Sequence, residues 1–275
     1  MNRINTTRHK QQIKIDFNRR KNYDERTFYH YYGNRLVELS PLKTGDRILD
    51  LATGTGIVAI AATEIVGREG FVIGVDIARG MLSQAQTKIE ARQIENIELK
   101  KGDAEELEFT PNSLDGIFCS LALIYLTDIA ATLEKCCRWL KPGSFIAFNA
   151  WSERAFYPAI LYRSILRKYG VDVPEPNQPL GTSEKCDRAL AAAGFKDIRI
   201  HEDVSGWYYE PNHETAISTW ESNSNNAFGF QVYDLPPEQF KACQAEFIAE
   251  FTKIERNEKG SWCDATAYVA IGYKN

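Results

Sequence analysis

The stretch Arg47-Ile-Leu-Asp-Leu-Ala-Thr-Gly-Thr-Gly56 decides how this chain folds. Its apolar residues Ile48, Leu49 and Leu51 read as a short buried strand, and the small residues from Ala52 to Gly56 read as a tight turn into the apolar helical run Ile57 to Val66. The same pattern repeats downstream. Phe71-Val-Ile-Gly-Val75 is a second strand closed by Asp76, a helix follows over Gly80 to Arg92, and Ile97 to Lys100 and Leu114 to Cys119 are strands three and four. Ile129, Leu133, Cys136, Cys137 and Leu140 then recur at helical spacing until Lys141-Pro-Gly143, and Ser144 to Phe148 is strand five. Strands alternating with helices in this way predict βαβ units and a parallel sheet covered on both faces.

Past Trp151 the rhythm loosens. A helix over Ala155 to Tyr169 leads into the Pro-rich loop Val173 to Pro179, and a second helix over Ser183 to Ala193 is capped by Gly194. Lys196 to Ile200 is a sixth strand, a polar and aromatic stretch runs from Trp207 to Tyr233, and a long helix over Pro237 to Glu255 precedes the alternating strand Ala265 to Ile271. Seven strands are expected, with the irregular stretches roofing a site above the carboxyl ends of the parallel strands. Upstream, Phe28, Tyr31, Tyr32, Leu36 and Leu39 mark a helix over Thr27 to Leu39. Before it, the first 21 residues hold seven Lys or Arg against one Asp, read as a solvated helix face.

Composition narrows the function classes. The chain has 275 residues, 44% hydrophobic and 25% charged, with a net charge of −4, which excludes a disordered or low-complexity scaffold. That charge provides no footprint for nucleic acid or anionic lipid. No apolar run is long enough to span a membrane, and MNRINTTRHK lacks the apolar core of a secretion signal, so a cytoplasmic protein is expected. Six cysteines without a C-x-x-C pair fit neither a zinc knuckle nor a disulfide framework, and the vicinal Cys136 and Cys137 read as packed thiols on an apolar helix.

The chemistry concentrates at strand ends. Asp50-x-x-x-Gly54-x-Gly56 lies at the first strand-to-helix turn, Asp76 ends the next strand, and Gly102-Asp103-Ala104 follows the third. Glycines let the backbone turn tightly and approach a ligand; a carboxylate at a strand tip accepts from both ribose hydroxyls; another acidic residue meets an adenine amino group. Gly54-Thr-Gly-Ile-Val-Ala59 also satisfies the dinucleotide pattern G-x-G-x-x-A. Against a dinucleotide stand the helical, aromatic segment before the first strand and Asp50, whose charge repels a pyrophosphate and favours a cation.

These motifs resemble the class I S-adenosylmethionine-dependent methyltransferases, and most closely their small-molecule branch typified by the ubiquinone/menaquinone C-methyltransferases. The resemblance rests on residues 47 to 56, Val72-Ile-Gly-Val-Asp-Ile-Ala-Arg-Gly-Met-Leu82, Lys101-Gly-Asp-Ala-Glu105, Phe109-Thr-Pro-Asn-Ser-Leu-Asp-Gly-Ile117 and Leu140-Lys-Pro-Gly143. It covers residues 23 to 150 strongly and 184 to 200 weakly. It implies an α/β, Rossmann-like fold: a seven-stranded, mostly parallel sheet with helices on both faces and a small helical cap from insertions. It also implies that Asp50, Ala52, Gly54 and Gly56 line the methionine side of S-adenosylmethionine, that Asp76 binds its ribose beside Met81, and that Asp103 and the Ala104 amide read the adenine edge. Ser120 falls where the methionyl amine is held, and Tyr23 aligns with an aromatic covering the methionine moiety. Two departures stand out: Ala52 replaces a frequent glycine, and Ile124-Tyr125 replaces a frequent histidine.

Methyl transfer from a sulfonium requires alignment and exclusion of water more than acid or base chemistry. No metal is expected, and no nucleophile elbow or zinc signature is present. His30, His201, His213 and Tyr125 are the candidate bases, and none is assigned as catalytic. The large rings past strand five predict a pocket for a planar or lipophilic small molecule, with Tyr125, Trp151, Trp207 and Tyr209 as acceptor contacts. Cys119-Ser-Leu-Ala-Leu-Ile-Tyr125 lacks the Asn/Asp-Pro-Pro-aromatic run of base-modifying enzymes, so the expected partner is a small molecule and no nucleic acid. The expected reaction is O- or N-methylation of an aromatic or specialised-metabolite acceptor. Carbon methylation of a quinone ring, a dinucleotide-dependent oxidoreductase and a non-catalytic adenosyl-binding protein are the alternatives. Residues 1–44 are expected to close over the cofactor, 45–150 to form its core, and 151–275 to add strands and cap insertions near 153–182 and 207–235, in a monomer or homodimer.

Overall fold

The computed structural model describes residues 6–275; of the basic opening and the leader-like stretch weighed above, residues 1–5 lie outside the described residues. In chain order the elements are α1 (Thr6–Arg19), α2 (Thr27–Leu39), β1 (Arg47–Leu51), α3 (Ile57–Val66), β2 (Phe71–Asp76), α4 (Arg79–Ala91), β3 (Ile97–Lys101), β4 (Leu114–Ser120), α5 (Ile129–Trp139) and β5 (Leu140–Trp151). There follow α6 (Tyr157–Lys168), α7 (Ser183–Ala192), β6 (Phe195–Asp203), β7 (Gly206–Tyr209), α8 (His213–Ser224), α9 (Pro237–Phe251), β8 (Ser261–Asp264) and β9 (Ala267–Lys274).

Seven strands form one sheet in the order β3-β2-β1-β4-β5-β9-β6. β9 is antiparallel to both its neighbours, and the other pairs are parallel. Side chains alternate across the sheet, so each face needs its own cover. Leu36 and Val37 of α2 with Val58, Ala59 and Ala62 of α3 bury one face against Ile48, Val72 and Phe118. Leu133, Cys136 and Trp139 of α5 with Cys186 and Leu190 of α7 bury the other against Leu49, Ile73 and Ile117. The order reverses at β1, and the carboxyl ends of β1, β2 and β4 open on the crevice where such sheets take ligands.

Three departures from the sequence reading have local causes. β5 begins at Leu140: Leu140 pairs with Leu114, Gly143 takes a left-handed φ of 78° to loop the chain outward, and pairing resumes at Gly116 and Phe145. The last strand, expected over Ala265 to Ile271, runs as β9 from Ala267 to Lys274, and the unexpected β8 before it pairs with β7 in a second, two-stranded sheet. The polar stretch after Trp207 contains the helix α8, whose Asn212 cap accepts from the Thr215 amide at 2.9 Å.

α6, α8 and α9 build a cap with a core of its own. Tyr162, Ile165, Trp220, Phe247 and Phe251 pack together there, and the Tyr162 hydroxyl donates to the Gly229 carbonyl at 3.0 Å while lying 3.0 Å from Ser224 Oγ.

Candidate functional site

The turn after β1 is held by Asp50. Its Oδ2 accepts from Thr53 Oγ1 at 2.6 Å and from the Ala59 amide at 3.1 Å, so one carboxylate both ties the loop and caps the first turn of α3. Ala52, Gly54 and Gly56 take φ of 56°, 56° and 79°. Glycine adopts this left-handed conformation freely, whereas alanine pays about 1 kcal/mol, which is the physical reason glycine is favoured where Ala52 stands. Asp76 then closes the loop from the next strand: its Oδ2 accepts from the Gly54 amide at 2.9 Å and its Oδ1 from the Ala78 amide at 2.8 Å.

Burial leaves an electrostatic gap. Asp50 is 1% exposed, and its Oδ1 has no hydrogen-bond partner. Desolvation pushes its carboxyl up to about 7, outweighing the Thr53 and Ala59 hydrogen bonds that pull it down. A cation brought near that oxygen completes an acceptor the protein leaves open. The Asp76 carboxyl is likewise raised by burial, against the opposing backbone hydrogen bonds.

A cavity of about 1290 Å³ lies over these tips. Ala52, Gly54, Asp76, Asp103, Ala104 and Ser120 line its floor. Tyr23 and Tyr125 line one side, and Trp151, Trp207 and Tyr209 come from the segments after β5. The remaining expected residues sit behind this surface: Asp50 and Met81 are buried at 1% and 0% exposure, and Gly56 starts α3 with its Cα turned toward Ala85. His30, His201 and His213 are not among the lining residues, and burial raises the Tyr125 phenol, which stays protonated at neutral pH. Tyr23 stacks on Tyr29 with centroids 4.1 Å apart, and Phe17 meets Tyr125 edge-on at 5.1 Å.

Of the basic residues that line this cavity, none was expected from sequence, and Lys10 and Arg163 bear most on it. Lys10 of α1 reaches Asp103 Oδ2 at 2.8 Å and Glu105 Oε2 at 2.9 Å, pinning α1 across the floor. Arg163 of α6 lines the opposite side and is 5% exposed. Neither carries a local signal: both sit in amphipathic helices among other basic residues whose side chains face water. Among the described residues no cluster of His, Cys, Asp and Glu has the makings of a metal site, and no helix is long and apolar enough to cross a membrane.

Comparison with known proteins agrees with this geometry. Residues 48–143 match the family described as a methyltransferase domain. The chain is 34% identical over 186 residues to aklanonic acid methyltransferase DauC of Streptomyces sp. strain C5, covering 62% of this chain and 84% of that protein. It is 32% identical over 164 residues to the ubiquinone/menaquinone biosynthesis C-methyltransferase UbiE of Coxiella burnetii, covering 59% of this chain but only 63% of that relative's length. The YcgJ protein of Bacillus subtilis shares the fold, with a TM-score of 0.61 at 17% identity over 90% of this chain and 99% of its own. A glycine and aspartate cradle at the carboxyl ends of a reversed parallel sheet, in a chain so related, belongs to one family: this protein is an S-adenosylmethionine-dependent methyltransferase.

Proposed function

We propose that the enzyme methylates oxygen or nitrogen of a small aromatic acceptor held under its cap. One observation carries this reading: a single cavity is lined both by the strand tips and by the rings of Phe28, Trp151, Phe156 and Trp207. Donor and acceptor sites in one chamber are what a direct displacement requires. When bound, S-adenosylmethionine supplies an electrophilic methyl group on a good leaving group.

The chain's residues then have separate tasks. Asp76, with both oxygens near its strand tip, is suited to accept from ribose hydroxyls, and Gly54 leaves open space where a side chain would intrude. The Oδ1 of Asp50 has no hydrogen-bond partner within the chain, which supports binding of a cationic methionine group near the turn formed by Ala52 and Gly56. Ser120 at the tip of β4, Asp103 with Ala104 after β3, Met81 behind them and Tyr23 above complete the donor side in this reading. In this reading residues 6–44 cover that side, 45–150 form its floor, and the parts of 151–275 inserted around α6 and α8 hold the acceptor. Tyr125, Trp151, Trp207 and Tyr209 shape the acceptor end and keep water out. The absence of histidine from the lining and the protonated state of Tyr125 favour an acceptor atom that is already nucleophilic, such as an amine or an acidic phenol.

Similarity to the UbiE C-methyltransferase favours one second reading, methylation of a ring carbon. Incubating the protein with a metabolite extract and donor carrying an isotopically labelled methyl group tests both. The expected result is one compound that gains a methyl group, with the chemical shift of an O- or N-methyl; a C-methyl shift would establish the second reading and overturn the first.

A further inference from the structure

Where α6, α8 and the Pro-rich loop line the chamber, its wall is polar. α6 presents Ala159 and Arg163 to it, α8 presents Thr215, Thr219 and Ser222, and the Pro-rich loop adds Asn177. Arg163 is the one charged side chain on that wall that is deeply buried, at 5% exposure. Its Nε donates to Glu175 Oε2 at 3.0 Å, but the other Glu175 oxygen is taken by Arg167 Nη2 at 2.6 Å. One carboxylate therefore serves two guanidinium groups. The bond from Arg163 to Glu175 is made through Nε, so the two Nη groups lie outside that ion pair. Burial and the Arg167 charge both work against the charged form, and Glu175 offsets them only in part.

The other buried or half-buried cations of the cavity are already matched. Lys10 is held by Asp103 and Glu105, and Arg20 is held through two bonds by Asp16. A nearly buried guanidinium that lines a cavity, with its Nη groups outside its own ion pair, is matched by a carboxylate that accepts two parallel hydrogen bonds. Trp151, which ends β5, and Phe156, just before α6, line the same cavity and meet edge-on at 4.8 Å, offering flat rings suited to a planar body.

We propose that Arg163 selects the acceptor by a carboxylate: the substrate is a planar aromatic acid whose anionic end lies in the α6–α8 compartment while its reacting atom points to the strand tips. This rests on the reading of the cap as the acceptor site. The carboxylate acts as a handle, so it survives the reaction unmethylated.

Calorimetric titration of the full chain, saturated with S-adenosylhomocysteine, tests the assignment with matched probes: p-coumarate and anthracene carboxylate, each against its own carboxamide. The wild-type protein is expected to bind each acid about tenfold or more tightly than its amide. Arg163→Met should erase that preference and Arg163→Lys should retain part of it, with S-adenosylhomocysteine affinity unchanged in both. Should Arg163→Met fail to fold, the wild-type comparison and Arg163→Lys still decide. Equal affinity for acid and amide, no binding of either acid, or a preference that survives in Arg163→Met overturns the proposal. Failure of the wild-type protein to bind S-adenosylhomocysteine would instead sink the donor-site reading.

Discussion

The donor floor and the acceptor roof are built on opposite principles. The floor is backbone: amides of Gly54, Ala59 and Ala78 are pinned by Asp50 and Asp76, on strands whose side chains are buried on both faces. The roof is side chain: tryptophans, tyrosines and a buried arginine on helices and a short two-stranded sheet that have their own core. A floor made of backbone recognises one ligand and tolerates little change, whereas a roof made of side chains is open to substitution wherever those side chains do not also hold the fold.

The sharpest way to break that contrast lies at Trp151, which belongs to both halves. It is 6% exposed and packs edge-on against Tyr32 at 5.0 Å and Phe156 at 4.8 Å. Trp151→Ala is expected to cost about 3–5 kcal/mol of stability in chemical denaturation, and a loss below about 1 kcal/mol would show that it serves the acceptor alone. Asp76→Asn comes next. It keeps the shape and removes the charge, and donor affinity measured by calorimetry should fall about a hundredfold through two weakened hydrogen bonds. An unchanged affinity would move the ribose elsewhere.

Asp50 provides a pH test. Its folded carboxyl lies near 7, above the ordinary value of 3.8, so the stability it contributes is fully present below about pH 4 and is lost as pH rises toward 7. A cationic ligand demands the ionised form. Donor affinity should therefore rise with pH, by up to about tenfold per unit below pH 7, while the ligand-free protein loses stability over the same range. Asp50→Asn should flatten both trends, and a parallel rise of affinity and stability would contradict the assignment. The smallest effect is expected at Trp207, 41% exposed, stacked at 6.2 Å on Phe28. Trp207→Ala should leave stability within about 1 kcal/mol and raise the acceptor KM severalfold, without a change in donor affinity.

How far the sequence could be read follows the same division. Parallel strands covered on both faces appear as continuous apolar runs such as Phe71 to Val75, and their ends are punctuated by glycine and aspartate, so β1, β2 and β4 were legible by pattern, while the roles expected of the cradle residues came from the family resemblance. The depth of Asp50, Gly56 and Met81 behind the cavity surface was not, because a motif reports which residues share a strand tip and not which ones touch the void. α8 was obscured because its cavity-facing side carries Thr215, Thr219 and Ser222, which blurs the apolar stripe left by Ala216 and Trp220; Asn212, with Glu214 in the first turn, was the available signal. Arg163 looks in sequence like Arg167 four residues on, and only tertiary packing makes one 5% exposed and leaves the other in water.

The cap's separate core has an evolutionary consequence. Because Tyr162, Trp220, Phe247 and Phe251 stabilise the α6–α8–α9 unit as a core separate from those of the seven-stranded sheet, that helical lobe can be rewritten residue by residue while the strands and their glycine turn keep their own packing, which, on the proposed reading, lets acceptor choice drift without disturbing the grip on the methyl source.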